Sequence, residues 1–283
     1  HHINRGLVLA GGAAGLAAAF NTPLAGVMFA IEEMGRSFEE RITGTLMVAV
    51  ILAGMTSLMI QGNYTYFGTY SAQLEPRHAL TAILVCGLVG GAAGGLFSML
   101  LVTSNRRLAS LRAAHPYLLT AVCGLAVALI GILSQDTTWG TGYEAARGLL
   151  QGTEHASLWY GPVKFLATLF SYLSGIPGGI FAPSLSVGAG LGYNLSTLFP
   201  QAPSVAIGLL GMVGYFSGVV QTPLTAVIIV MEMTDEHRLL LPLMATAFLG
   251  NGVSRLICRR PIYQALATDF LAIAKRKSTP QPA

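Results

Sequence analysis

The sequence predicts an all-α, polytopic membrane protein of inverted-repeat architecture, with broken and tilted helices and an incomplete first repeat. Three observations predict it. Of 283 residues, 53% are hydrophobic and only 10% charged, where a soluble domain carries about 25% charged residues. Long apolar stretches with almost no charge recur at 43–61, 79–103, 117–134, 203–233 and 239–254. One segment also occurs twice, as LAGGAAGLAAAFNTPLAGVMFAIEEM at 9–34 and LLGMVGYFSGVVQTPLTAVIIVMEMT at 209–234.

A bilayer core needs roughly 20 apolar residues per spanning helix. Backbone groups in lipid must bond internally, so the apolar stretches read as helices. Strand-type alternation is absent, which argues against a barrel. Glycine occurs 34 times. In lipid, small residues let helices approach closely, and the run Gly90, Gly91, Ala92, Ala93, Gly94, Gly95 inside an apolar segment fits that use. The competing reading is a flexible break in the helix.

The two copies align without a gap. Leu9 falls on Leu209, Gly11 on Gly211, Thr22-Pro23-Leu24 on Thr222-Pro223-Leu224, Val27 on Val227 and Glu32 on Glu232. Each copy reads as a small-residue helix, a break at Pro23 or Pro223, and a short apolar helix ending in acid. Proline suits the first turn of that second helix. The helix over roughly 23–34 is too short to cross a bilayer straight, and repeated interrupted helices mark transporters built from two related halves. Far more chain precedes the second copy than the first, so well over 100 residues are expected before residue 1 if the halves are comparable. The divisions read as 1–62 for the end of the first repeat, 63–78 for an inter-repeat loop, 79–257 for the second repeat, and 258–283 for a final helix and short basic tail.

Residues 174–183 read SGIPGGIFAP. Gly175, Gly178 and Gly179 leave the backbone bare, and Pro183 sits where a helix can begin. N–H groups at a helix start carry partial positive charge and form an anion site without a basic side chain. Such dipoles bind an anion weakly enough to release it, as conduction requires. The plain alternative is a Gly/Pro turn between helices.

Here the sequence resembles a known family. Gly179-Ile180-Phe181-Ala182-Pro183 is similar to the GxFxP signature of ClC chloride channels and transporters, as are the flanking Ser174–Gly178 and Ser184-Leu185. Asn21–Gly26 with Ile31-Glu32-Glu33-Met34, Thr222–Thr225 with Glu232-Met233-Thr234, and Tyr263 within Arg260-Pro261-Ile262-Tyr263 also resemble that family. The resemblance runs from about residue 6 to about 272. It implies that the amides of Ile180 and Phe181, following Gly179, hold chloride, and that the Tyr263 hydroxyl completes the inner coordination. It implies that Glu33 is the internal proton-transfer glutamate. It implies a homodimer in the lipid bilayer, joined through helices at roughly 7–60 and 203–254, each subunit with its own pathway. Chloride is then the bound substrate ion, protons are the counter-substrate, and no cofactor is called for. The family's serine-bearing GSGIP segment and gating GK/REGP segment are expected before residue 1.

The acids separate by symmetry. Carboxylates at a helix C-terminus oppose the macrodipole, so capping of their own helix does not explain them. Glu32 has a mate in Glu232, which suggests a shared structural task such as bonding a loop backbone. Glu33 faces Met233 in the alignment, and an asymmetric intramembrane acid is a functional candidate. The bland reading is a solvated acid beside Arg36 and Arg41. Lys164, inside the apolar 160–173, reads as snorkelling to the surface or held in an ion pair, with a role in the anion path as the alternative.

The function expected is chloride/proton antiport. The alternatives are a passive chloride channel and a membrane structural subunit without transport. No nucleophile–base set or metal-ligand spacing appears, so no enzyme is expected. The net charge of +4 does not point to nucleic acid. Arg106, Arg107 and Arg112, and Lys275, Arg276 and Lys277, flank apolar segments and fit the positive-inside rule. Cys86, Cys123 and Cys258 read as small core residues. The short tail without appended domains suggests a multi-pass protein of a bacterial inner membrane.

Overall fold

The computed structural model describes residues 2–35, 40–153 and 157–268, with the side chains of 2–5, 35 and 40–43 outside that description. Every regular element among the described residues is a helix: α1 (His2–Phe20), α2 (Pro23–Phe29) continuing as a π-helical turn (Ala30–Gly35), α3 (Glu40–Gln61), α4 (Pro76–Arg107), α5 (Ala109–Ala114), α6 (Pro116–Leu133), α7 (Tyr143–Gln151), α8 (Tyr160–Leu173), α9 (Phe181–Ser196), α10 (Ser204–Val220), α11 (Pro223–Thr234) and α12 (Leu240–Ile257). Residues 262–268 are helical again. Among the described helices, Gly44–Gln61 of α3, α4, α6 and α12 are long and apolar enough to cross a membrane. Lys275, Arg276 and Lys277 lie outside the described residues.

The core is built on α10, which is buried from Ala206 to Val220. A helix apolar on every side belongs in such a place. Glycines set its distance from its neighbours. A Cβ on Gly90 would lie 2.7 Å from the Tyr215 amide, and one on Gly94 would lie 2.7 Å from the Val219 amide. On the other edge of α4, a Cβ on Gly87 would meet Leu249, and one on Gly91 the Gly250 backbone of α12. The glycine run is therefore a two-sided contact surface within an unbroken helix, not a break. Hydroxyls add bonds between these helices: Ser98 donates to the Val219 carbonyl at 2.9 Å and Ser217 to the Ala247 carbonyl at 2.7 Å. Cys86 and Cys123 are buried free thiols, while Cys258 is partly exposed.

Both repeat copies break at the same register. Asn21 (φ 53°) and Gln221 (φ 58°) are left-handed, a conformation that Asn reaches more readily than most residues. Each donates its side-chain amide onward, Asn21 to the Tyr64 carbonyl at 2.7 Å and Gln221 to the Cys258 carbonyl at 2.6 Å. Thr22 and Thr222 follow with matching φ of −128° and −122°. The helix expected over 23–34 is α-helical only to Phe29, and Ala30–Gly35 widens into the π turn that carries Glu32 and Glu33. Single π turns inside helices recur at functional sites.

Candidate functional site

Glu32 and Glu232 do share a task, but not with a loop. The Glu32 carboxylate accepts the amides of Leu224 and Thr225 at 3.2 and 2.8 Å and the Thr225 hydroxyl at 2.8 Å. Glu232 accepts the amides of Leu24 and Ala25 at 3.0 and 2.8 Å. Each acid thus caps the N-terminus of the other copy's short helix, where backbone donors are orphaned and the dipole favours negative charge. The end of one short helix therefore lies beside the start of the other. The two copies run antiparallel, as inverted repeats require.

The SGIPGG segment leaves α8 through Ser174 and Gly175, the latter at φ +81°. Gly178 and Gly179 have no atom within 4 Å of where a Cβ would sit. Ile180 is the N-cap of α9, and its carbonyl accepts from Ser184 at 3.1 Å. Among the described residues, no protein group accepts from the amides of Ile180 or Phe181. Glycine contacts fix α9 in place: a Cβ on Gly188 would lie 2.6 Å from Met212 Cα, and one on Gly192 would lie 2.7 Å from Gly208 Cα. The donors are thus carried by a helix seated rigidly on the central α10.

Aromatic rings gather the remaining motifs around that helix start. Phe181 meets Phe29 edge-to-face at 5.1 Å and Phe216 at 4.9 Å. Tyr263 lies 5.9 Å from Phe29 and 6.3 Å from Phe181. Tyr263 and Glu33 line one cavity of about 710 Å³ together with Phe29, Met34 and Gln264. The first repeat, the SGIPGGIFAP segment and the last helical segment, far apart in sequence, converge here. Phe29 and Phe216 were not singled out from the sequence, because a phenylalanine in an apolar run carries no mark of its partner. Arg36 lies outside the described residues, and so does the side chain of Arg41.

Lys164 departs from expectation. It does not snorkel, and it pairs with no acid among the described residues: it is 2% exposed, and its ammonium donates to the carbonyls of Thr138 and Gly140 at 2.7 and 2.8 Å. The segment between α6 and α7 turns these carbonyls inward through left-handed Gln135, Asp136, Gly140 and Gly142. The same segment accepts bonds at the Gly142 carbonyl from Ser186 of α9 at 3.0 Å and Tyr160 of α8 at 3.5 Å. Lys164 lines a second cavity, of about 540 Å³, that also borders Gly178, Gly179 and Pro183.

A family model for the voltage gated chloride channel matches residues 2–255. The chain belongs to that family. It is 31% identical over 94% of its length to the H(+)/Cl(−) exchange transporter ClcA of Yersinia pestis bv. Antiqua (strain Angola), and covers 58% of that protein. It is 30% identical to the voltage-gated ClC-type chloride channel ClcB of Salmonella dublin, matching 93% of this chain and 64% of that one. The fold matches the crystal structure of a slow cyanobacterial Cl⁻/H⁺ antiporter at a TM-score of 0.78 and 29% identity, over 94% of this chain and 65% of that one. It also matches a CLC-type fluoride/proton antiporter at a TM-score of 0.79 and 24% identity, over 91% of this chain and 65% of that one. The chain thus spans about three-fifths of the curated relatives it matches. The ClC fold expected from the sequence is the fold observed, and the relatives named are transporters and channels.

Proposed function

We propose that the full-length protein exchanges chloride for protons across a bacterial inner membrane as a homodimer, each subunit with its own pathway. The single observation that carries this reading is the cavity shared by Tyr263 and Glu33, with the Tyr263 ring 6.3 Å from that of Phe181 at the start of α9. Unclaimed backbone amides at Ile180 and Phe181 supply weak anion donors, and the Tyr263 hydroxyl can add a further one. Glu33 supplies a titratable group on the same cavity, separate from the anion donors. A carboxyl so placed can take up and release a proton while chloride sits on the amides. A passive conductor needs no such acid. Chloride acts as the substrate ion, and no cofactor enters the scheme.

The test is proton movement driven by a chloride gradient in proteoliposomes containing the full-length protein. Uphill proton movement is expected. Chloride flux without proton movement would favour the passive channel, and no anion flux at all would favour a structural subunit.

A further inference from the structure

The amides of Ile180 and Phe181 bind an anion only if the chain before them is held still, and at Gly178 and Gly179 no described residue packs against the position of a Cβ. Gly178 and Gly179 face empty space, and Ile176 is 62% exposed. The restraints lie at the other end of the segment, where α8 stops. The Ser174 hydroxyl accepts from the Ile176 amide at 3.2 Å and donates to the Ser171 carbonyl at 2.6 Å. Thr120 of α6 donates to the Ser174 carbonyl at 2.9 Å. Arg112 of α5 donates through Nη2 to the Leu173 carbonyl at 3.2 Å and through Nη1 to Asn105 Oδ1 of α4 at 2.7 Å.

The guanidinium also lies near Gly175, at ordinary contact distance from where a Cβ would sit. A Cβ there would lie 3.4 Å from Arg112 Nε and 3.9 Å from Cζ. Gly175 is left-handed, a conformation that glycine adopts without the penalty of a Cβ. Nε is buried and has no acceptor among the described residues. The hydrogen-bond partners of Arg112 among the described residues are neutral, and its charge lies at the C-terminus of α8, where a cation is favoured. A planar fork spanning two acceptors is a geometry that the point charge of lysine does not reproduce.

We propose that Arg112 is a positioning residue for the anion site: by tying the Leu173 carbonyl to Asn105 of α4 it sets the path of SGIPGG and so the direction of the Ile180 and Phe181 amides. This rests on the reading of those amides as the anion donors. A site made of weak dipoles is sensitive to small displacement, since geometry must hold within about 0.5 Å. Arg112 lines neither cavity described above, so its influence passes through the backbone.

The experiment is calorimetric titration of chloride and of nitrate into the full-length protein in detergent, unmodified and with Arg112→Met, Arg112→Lys or Thr120→Val. Arg112→Met is expected to weaken chloride about tenfold and to narrow the preference between the two anions, a ratio that general loosening of the fold would not move. Arg112→Lys is expected to recover less than half of that loss, and Thr120→Val to weaken chloride about threefold. Should Arg112→Met fail to fold, the other two variants decide. Chloride affinity within twofold in a folded Arg112→Met protein, or full recovery by lysine, would overturn the inference. An unmodified protein that binds neither anion would overturn the proposed function and this inference together, whereas normal binding in both the unmodified and the Met protein overturns this inference alone.

Discussion

Glu232 bonds the amides of Leu24 and Ala25, while Glu32, at the equivalent place in the other copy, bonds those of Leu224 and Thr225. The exchange joins segments separated by 192 to 208 residues. Bonds from backbone amides to a carboxylate contribute about 1.5–3 kcal/mol each when one partner is charged. Glu32→Ala, which also strands the Thr225 hydroxyl, is expected to destabilise the protein by about 2–4 kcal/mol. Glu32→Gln is expected to lose about half as much, because the amide oxygen still accepts. Thermal unfolding in detergent measures both, and a melting temperature unchanged in Glu32→Ala would remove the cap from the account.

Glu33→Gln separates the two fluxes. Glutamine preserves size and the π turn but holds no exchangeable proton in the working pH range. The amides of Ile180 and Phe181 do not involve Glu33, so chloride flux is expected to persist while proton movement ceases. Simultaneous recording of chloride and proton flux in proteoliposomes is the check. Continued uphill proton movement would take the proton role away from Glu33.

Tyr263→Phe keeps the ring contacts with Phe29 and Phe181 and removes only the hydroxyl. Chloride binding by the full-length protein is expected to weaken about tenfold, equivalent to about 1.4 kcal/mol, with little change in stability. Affinity equal to that of the unmodified protein would leave Tyr263 an aromatic strut and nothing more.

Gly94→Ala and Gly124→Ala form a matched pair. At Gly94 the new methyl would meet the Val219 amide at 2.7 Å and the Gly218 carbonyl carbon at 2.8 Å. Backbone cannot yield as a flexible side chain can, so α4 and α10 must part, at a cost of about 1–3 kcal/mol or more. At Gly124 nothing lies within 4 Å, and alanine is expected to be neutral or to stabilise by about 0.5–1 kcal/mol. Melting temperatures of the two variants decide between a contact surface and a merely flexible run.

Lys164→Met removes the two bonds that hold the carbonyls of Thr138 and Gly140. The carbonyl of buried Thr138 then loses its donor, at about 1–3 kcal/mol, while that of exposed Gly140 can turn to water. A drop in melting temperature is expected, with faster proteolysis between α6 and α7. A variant as stable as the parent would show that water replaces the ammonium there.

Much of the fold was legible because lipid imposes a coarse rule: apolar length means helix, and clustered glycine means contact. The repeat was legible because Thr-Pro-Leu followed by an aligned acid is improbable by accident in apolar sequence. What Glu32 and Glu232 bond was not legible, since symmetry shows that two residues share a task but not which surface answers each. Lys164 was misread for a related reason. The sequence offers snorkelling or an acid as partners for a buried ammonium, and it hides the turn at Gln135–Gly142 that brings carbonyls to it. The role of Phe29 depends wholly on the convergence of three distant segments, and no local pattern records that.

The crossed caps also impose an order in time. The amides of Leu24 and Ala25 wait for a carboxylate made 208 residues after Leu24, roughly 10–40 s later at ordinary rates of chain synthesis. Through that interval the early copy is a helix pair with one end unsealed, held in or beside the membrane by whatever water or machinery can serve its donors. The late copy has no such wait, because Glu32 is already in place when Leu224 and Thr225 emerge. Two segments that mirror each other in space are therefore unequal during biogenesis, and damage to Glu232 should be felt first as failed insertion or assembly of the early copy.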